Sequence, residues 1–401
     1  MDTDVVITGL GVVSPLGRGV ERFWAGLLRG DVPVSPLAFP GAAMPGSLAY
    51  RAEDPPASGL PARAGRASGF ALAAARDALA DAGLGTGGPE ELDGVGVCVA
   101  TGNGDSDVQE ACRDGRREPD GDSWFPYGTA GLLSDRLGLY GPGMTVSTAC
   151  AAGAYAVAMG ADMITDGEAD TVLVGGAEAI SRPAVGAFLR LGAGDPLHCR
   201  PFDAERAGTV YGEGAAFLVL ESAARAAARG RTAYARVVSS GWSCDAFHVT
   251  APDPQGTQAV RAVHDALRRG GMDSADIGAV LCHGTGTPAN DAVESGVTAG
   301  VLGARTPEVP VTAVKASLGH SGGAAGAFGC LTAALVVRHG LVPPVGTLRR
   351  LDPECALRVV RDTPQAAAPG TVLVNAYAFG GNNISVAIGS PAAGAGREAI
   401  A

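Results

Sequence analysis

A cysteine, two histidines and a lone lysine carry the reactive chemistry that this sequence offers. Cys150 closes the run Met144-Thr-Val-Ser-Thr-Ala-Cys150, where a strand over Thr145–Thr148 is expected to give way to a helix over Ala151–Ile164. A thiol at a helix N-terminus feels the macrodipole and the free backbone N–H groups there, which favour thiolate over thiol. Its neighbours Ala149, Ala151, Ala152 and Gly153 are small enough for a bulky acyl group to approach. An arbitrary cysteine is more often a packed core residue, so the rest of the chain has to single this one out.

Three further segments do so. In Cys282-His-Gly-Thr-Gly-Thr-Pro-Ala-Asn-Asp291-Ala-Val-Glu294, a strand end delivers His283 into a loop of glycine and threonine. Backbone and hydroxyls in such a loop can approach a polar ligand closely, and the imidazole can move a proton. In Lys315-Ala-Ser-Leu-Gly-His320, a second histidine opens an Ala/Gly-rich helix five residues after Lys315, the only lysine among 30 basic residues. In Asn375-Ala-Tyr-Ala-Phe-Gly-Gly-Asn-Asn383, a glycine-rich turn presents backbone N–H groups that could form half of an oxyanion hole. Taken singly, each segment has a plain structural reading: a turn, a core histidine, a surface lysine.

The elements that must position these groups repeat along the chain. Ala75–Leu84 resembles Val263–Met272, and Val97-Cys-Val-Ala-Thr-Gly102 resembles Leu281-Cys-His-Gly-Thr-Gly286. The strand, turn and helix around Cys150 recur as Val309–Lys315 followed by Ser321–Val337, and Thr171-Val-Leu-Val174 recurs at Thr371-Val-Leu-Val374. Echoes in one order predict a duplicated α/β unit, five strand-like runs to each half, with residues 1–225 and 226–401 as the halves. Ligands in α/β folds bind where strand ends meet helix N-termini, so the turns at Cys150 and Lys315–His320 are expected to meet across a pseudo-two-fold axis.

Composition narrows the class. A length of 401 residues with 46% hydrophobic residues suits a globular protein. The formal charge of −11 argues against general binding to nucleic acid or anionic membranes. No apolar run is long enough to cross a bilayer and no signal peptide is evident, so a cytoplasmic protein is expected. Eight cysteines form no CxxC pair and no zinc spacing, so no metal is expected.

The cysteine, the HGTGT loop, the K-x-x-x-G-H segment and the F-G-G-x-N turn, in this order, resemble the β-ketoacyl synthases of the Cys-His-His elongating type. Val5-Ile-Thr-Gly-Leu-Gly, Arg200-Pro-Phe-Asp203 and Gly212-Glu-Gly214 extend the resemblance from about Val5 to Gly389. It implies a thiolase-like fold: two five-stranded mixed sheets and helices layered α-β-α-β-α. It implies an acyltransferase in which Cys150 takes an acyl chain from a carrier protein and a malonyl thioester is decarboxylated and condensed with it. His283 and His320 would stabilise the enolate, and Lys315 would orient a histidine, with Glu213 as a possible partner. The N–H groups of Cys150 and Phe379 would form the oxyanion hole, with Phe379 as a gate. Thr285 and Thr287 would hold the phosphopantetheine arm, with Phe202 and Asn382 on the substrate site and Asp291 and Glu294 in support. Arg63, Arg66 and Arg206 resemble a carrier-docking patch. No cofactor is implied beyond the carrier's own arm, and the expected partners are an acyl carrier protein and a second subunit, identical or related.

Two departures matter. The family turn G-F-G-G-T-N reads Ala378-Phe-Gly-Gly-Asn382-Asn383, and the stretch Asn103–Tyr127, which runs through Trp124, is polar. Both suggest a polyketide or other specialised substrate. Two alternatives stay open at this point: an acyltransferase that works without decarboxylation, and a non-catalytic partner that shapes chain length. The second class lacks the cysteine that this chain carries.

Overall fold

The structure is a computed structural model that describes residues 4–39, 47–55, 59–85, 91–118, 125–367 and 370–391. Trp124 lies outside them. The first half contributes strands β1 (Val5–Ser14), β2 (Gly96–Ala100), β3 (Gly143–Val146), β4 (Thr171–Glu178) and β5 (Gly214–Ser222). The second contributes β6 (Ala235–Cys244), β7 (Ile277–Leu281), β8 (Val311–Thr312), β9 (Thr371–Tyr377) and β10 (Asn382–Gly389). From the outer edges inward the order is β3-β2-β4-β5-β1 in one half and β8-β7-β9-β10-β6 in the other. Each strand thus occupies the place of its repeat. The outer three strands of each half run parallel and the inner two antiparallel. The two five-stranded sheets join where Val5–Ile7 of β1 pairs with Ala235–Val237 of β6.

Helices α1 (Arg66–Asp81), α2 (Ala152–Thr165), α3 (Arg182–Arg190), α4 (Thr257–Arg269), α5 (Pro288–Leu302) and α6 (Ala325–His339) surround and separate the sheets. α1 covers β1, β4 and β5 from outside, and α4 covers β6 and β10. α2 and α6 pack on each other between the two halves. Strands covered on both faces read as largely apolar runs, and β1, β4 and β5 are buried along their whole length.

The Ala/Gly composition of the central helices has a steric cause. A Cβ on Gly153 would sit 2.3 Å from the backbone nitrogen of Ala327, and one on Gly326 would sit 2.3 Å from that of Ala154. Only glycine permits this approach, which draws the starts of α2 and α6 together.

Two boundaries differ from expectation. The strand expected over Val309–Lys315 is only Val311–Thr312, because Lys315 opens a helical turn, Lys315–Leu318. Helices expected at Ala151 and Ser321 begin at Ala152 and Ala325, each after a 3-10 turn, Ala149–Ala151 and Gly322–Ala324. Both turns are entered through left-handed backbone, Ala149 at φ 48° and Gly322 at φ 47°. Reversing the chain sharply at a strand end uses that conformation, which strains a residue with a Cβ such as Ala149. Among the described residues no helix is long and apolar enough to cross a membrane.

Candidate active site

Cys150 sits inside the 3-10 turn after β3, one residue past the strained Ala149, and is buried. The backbone N–H groups of Cys150 itself and of Phe379 both point at its sulfur. Burial pushes the thiol up to about 11, outweighing Lys315 and those N–H groups, which pull it down. The expected bias toward a resting thiolate is therefore corrected. The turn's partial charges are present, but exclusion of water from the sulfur costs the anion more.

His283 follows β7 and is held from behind by two carboxylates on α5. Glu294 accepts from the backbone N–H of His283 at 2.6 Å and of Gly284 at 2.8 Å. Asp291 accepts from the N–H of Phe202 at 2.8 Å and of Thr285 and Gly286 at 3.1 Å. Each carboxylate is stabilised by several N–H donors, yet burial still raises Asp291 and pushes Glu294 up to about 7. The side chain of Lys315, on the helical turn after β8, reaches His283, with its Nζ 3.3 Å from Nδ1 and also bonded to the His283 carbonyl. An ammonium has only donors, so the Nδ1 facing it is the unprotonated nitrogen and the ring's proton lies on Nε2.

His320 is anchored through its backbone, donating to Val210 at 2.8 Å and accepting from Gly212 at 3.0 Å. The His283 and His320 rings lie 5.7 Å apart and nearly perpendicular, at 84°. Burial first, then the charge of Lys315, holds both imidazoles well below their usual range, so both are neutral near pH 7. Cys150, His283, His320, Phe379, Thr285 and Thr287 line one cavity of about 340 Å³, which extends to Leu191, an exposed residue at the surface.

Phe379 opens a short 3-10 turn between β9 and β10, and its ring stacks on Phe188 at 6.1 Å. The turn is tied to the segment after β6, with Gly380 N–H donating to Val249 and Asp245 N–H to Gly381.

Several expected roles change. Glu213 is not a partner of Lys315; it is buried, pairs with Arg66 at 2.7 Å and accepts from Ile180 N–H, because α1 lies nearer to it than the active-site lysine. Arg66 is half-buried and pairs with Glu213 on its inner side and with the exposed Asp54 on its outer side. Arg206 is buried, bonded to Asp352 and to the carbonyls of Asp203 and Pro288, where it backs Asp291. Arg63 remains exposed. Phe202 is a fully buried core residue under the His283 loop rather than part of the cavity wall. Asn382 turns its amide back to Phe379 O at 3.4 Å, while its neighbour Asn383 lines the cavity.

Other residues enter unannounced. Phe188 on α3 packs edge-on against His320 at 5.5 Å. Glu178, at the end of β4, accepts from Gly102 N–H and Gly323 N–H at 2.8 Å and Asn103 N–H at 3.0 Å, which pins the turn after His320. Burial pushes that carboxyl up to about 7. A single acid closing an otherwise apolar strand was the available signal for it. Asn103 also donates to Tyr211 Oη at 3.0 Å.

The Beta-ketoacyl synthase N-terminal domain matches residues 2–226 and its C-terminal domain residues 234–349. The chain belongs to the β-ketoacyl synthase family. Its relatives include the 3-oxoacyl-(acyl-carrier-protein) synthase 2 of Rhizobium meliloti, 34% identical with 95% of this chain and 97% of the relative covered. The tetracenomycin polyketide synthase ketoacyl synthase alpha subunit of Streptomyces glaucescens is also 34% identical, over 96% and 97%. The ishigamide ketosynthase/chain length factor superposes with a TM-score of 0.90 at 36% identity, covering 98% of this synthase and 100% of that chain. A type II polyketide acyl-carrier protein in complex with its ketosynthase, bound to the hexaketide, gives 0.87 at 26% identity over 98% and 100%. The thiolase-like architecture of these neighbours is the duplicated one described above.

Proposed function

We propose that this synthase catalyses decarboxylative condensation of a Cys150-bound acyl group with a malonyl thioester carried on an acyl carrier protein. The observation that carries this is convergence: one nucleophile with two N–H groups aimed at its sulfur and two neutral imidazoles share a single cavity.

The sulfur of Cys150 attacks the carrier thioester carbonyl, and the carrier thiol leaves with the proton that Cys150 gives up. The N–H groups of Cys150 and Phe379 hold the oxyanion. In the second half, the bond between C2 and the carboxylate of the malonyl unit breaks, CO₂ leaves, and the electron pair passes into an enolate. Nε2–H of His283, fixed by Lys315, donates to that enolate oxygen beside His320. C2 then attacks the acyl carbonyl, a C–C bond forms, and the Cys150 thiolate departs and takes a proton from solvent. A neutral imidazole still carries one N–H, so His283 can donate from Nε2 to the enolate oxygen.

A specialised acyl substrate is supported by the polar segment at Asn103, whose amide bridges Tyr211 and Glu178. A paired subunit is supported by β3, which is bonded to β2 on one side only and lies beside the exposed Tyr140. The ketosynthase/chain length factor neighbour carries such a second subunit in its name.

The test is incubation with acyl- and malonyl-carrier proteins, with CO₂ release and the intact mass of the carrier both recorded. One CO₂ per new C–C bond is expected. Acyl transfer to another acceptor without CO₂ would favour a plain acyltransferase and overturn the proposal.

A further inference from the structure

The two histidines of the cavity are held in different ways. The His283 ring meets Lys315 at Nδ1, and Glu294 takes the backbone N–H groups of His283 and Gly284. The His320 ring has no such tie, and its Nδ1 is buried with no hydrogen-bond partner among the described residues. Its place is set by packing and by its backbone, which is bonded to Val210 and Gly212 on one side. On the other side the chain runs into Gly322 and Gly323. Glycine lets a chain turn in many ways, so this turn keeps one shape only if something outside it supplies a hold.

Glu178 supplies it. This residue is fully buried at the end of β4, and its Oε2 accepts from the N–H groups of Gly323 and Gly102, both at 2.8 Å. Its Oε1 accepts from Asn103 N–H at 3.0 Å. A Cβ on Gly322, whose φ is 47°, would lie 2.5 Å from Oε2. The duplication accounts for the convergence. Its echoes set Gly323 opposite Cys150, Gly102 opposite Gly286 and Glu178 opposite Ala378. The carboxyl group thus sits at the counterpart of the active site. In one half the turn's N–H points at a reacting sulfur; in the other it is closed by an internal acceptor.

We infer that Glu178 is a positioning residue for decarboxylation, fixing His320 by holding the glycine turn that follows it. This rests on the condensing reaction proposed above. Glu178 does not line the cavity and acts through the main chain. Without its acceptor, the N–H groups of Gly102 and Gly323 would be buried unpaired, and the turn would shift to find partners. His320 lies three residues before Gly323 and moves with it. A displacement of about 1 Å at a reacting centre is enough to cost roughly 100-fold in rate. Ionised or protonated, the carboxyl keeps an oxygen that accepts from these N–H groups, so its titration does not release the turn.

Glu178→Met fills the space without an acceptor, whereas Glu178→Gln keeps one carbonyl oxygen. CO₂ release from malonyl carrier and loading of Cys150 from an acyl carrier are compared with wild type, and unfolding midpoints report whether each variant is folded. Glu178→Met should lower kcat for CO₂ release about 100-fold, with loading reduced less than about threefold. Removing a negative charge that raises the Cys150 thiol works in favour of loading. Glu178→Gln should recover at least about tenfold of the loss. Should Glu178→Met not fold, Glu178→Asp, which draws the acceptor back by one methylene, takes its place with an expected loss of about tenfold. CO₂ release at the wild-type rate in Glu178→Met overturns the inference. So does an equal fall in both rates, or a Gln variant as slow as the Met variant, since either marks a role other than accepting from the turn. Absence of CO₂ from wild type itself overturns the condensing reaction and this inference with it.

Discussion

The ammonium nitrogen of Lys315 lies 3.3 Å from Nδ1 of His283 and also bonds that residue's carbonyl oxygen. One side chain thereby selects the imidazole tautomer and fixes the ring's backbone. Replacing Lys315 with methionine should cut malonyl decarboxylation by roughly 100-fold, the scale of a lost oxyanion donor, and slow Cys150 loading less. Arginine should not rescue it, because the planar guanidinium does not fit a space made for a compact ammonium. Single-turnover measurement of each half-reaction checks both statements.

Decarboxylation by the pair should be insensitive to pH between about 6 and 8. An unperturbed imidazole titrates near 6.5, but His283 and His320 are held well below that value by burial and by Lys315. Both therefore stay neutral across the interval. A rate that halves on crossing pH 6.5 would contradict the buried, cation-flanked geometry.

Alkylation of Cys150 by iodoacetamide should accelerate about tenfold per pH unit from 7 to 9 without levelling, since the thiol is pushed up to about 11. In Cys150→Ala, condensation should vanish while CO₂ release from malonyl carrier persists, because the enolate is stabilised by residues other than the thiol. Peptide mapping and CO₂ capture read these outcomes.

Glu178→Gln should alter how stability varies with pH. The folded-state carboxyl is raised to about 7, so its contribution is present below the unfolded value and is lost as pH rises through 7. The two buried histidines act oppositely, adding stability as pH rises toward their unfolded value and nothing more above it. Removing the Glu178 contribution should leave the variant's stability rising more steeply with pH than wild type between 5 and 7. The limit is about 1.4 kcal/mol per pH unit for one proton. Urea unfolding across that range is the measurement.

Arg206→Ala should destabilise the protein by about 3 kcal/mol, as breaking a buried pair does, since Arg206 holds Asp352 and backs Asp291. Arg63→Ala should leave the unfolding midpoint unchanged, because that side chain is exposed. Denaturant unfolding separates the two.

The order of residues along the chain determined the duplication, the ten core strands in their repeat order, and the segments bearing Cys150, His283, Lys315, His320 and Phe379. These are local matters: turn residues, apolar runs and small side chains act on near neighbours, so their pattern is written within a few positions. Tertiary structure alone decided which polar groups pair. Glu213 bonds Arg66 across 147 residues and Glu178 bonds Gly323 across 145, and neither pairing leaves a local trace. It also decided the sign of the Cys150 shift, because the benefit of a turn's N–H groups is local, whereas the exclusion of water depends on every segment that closes over the sulfur.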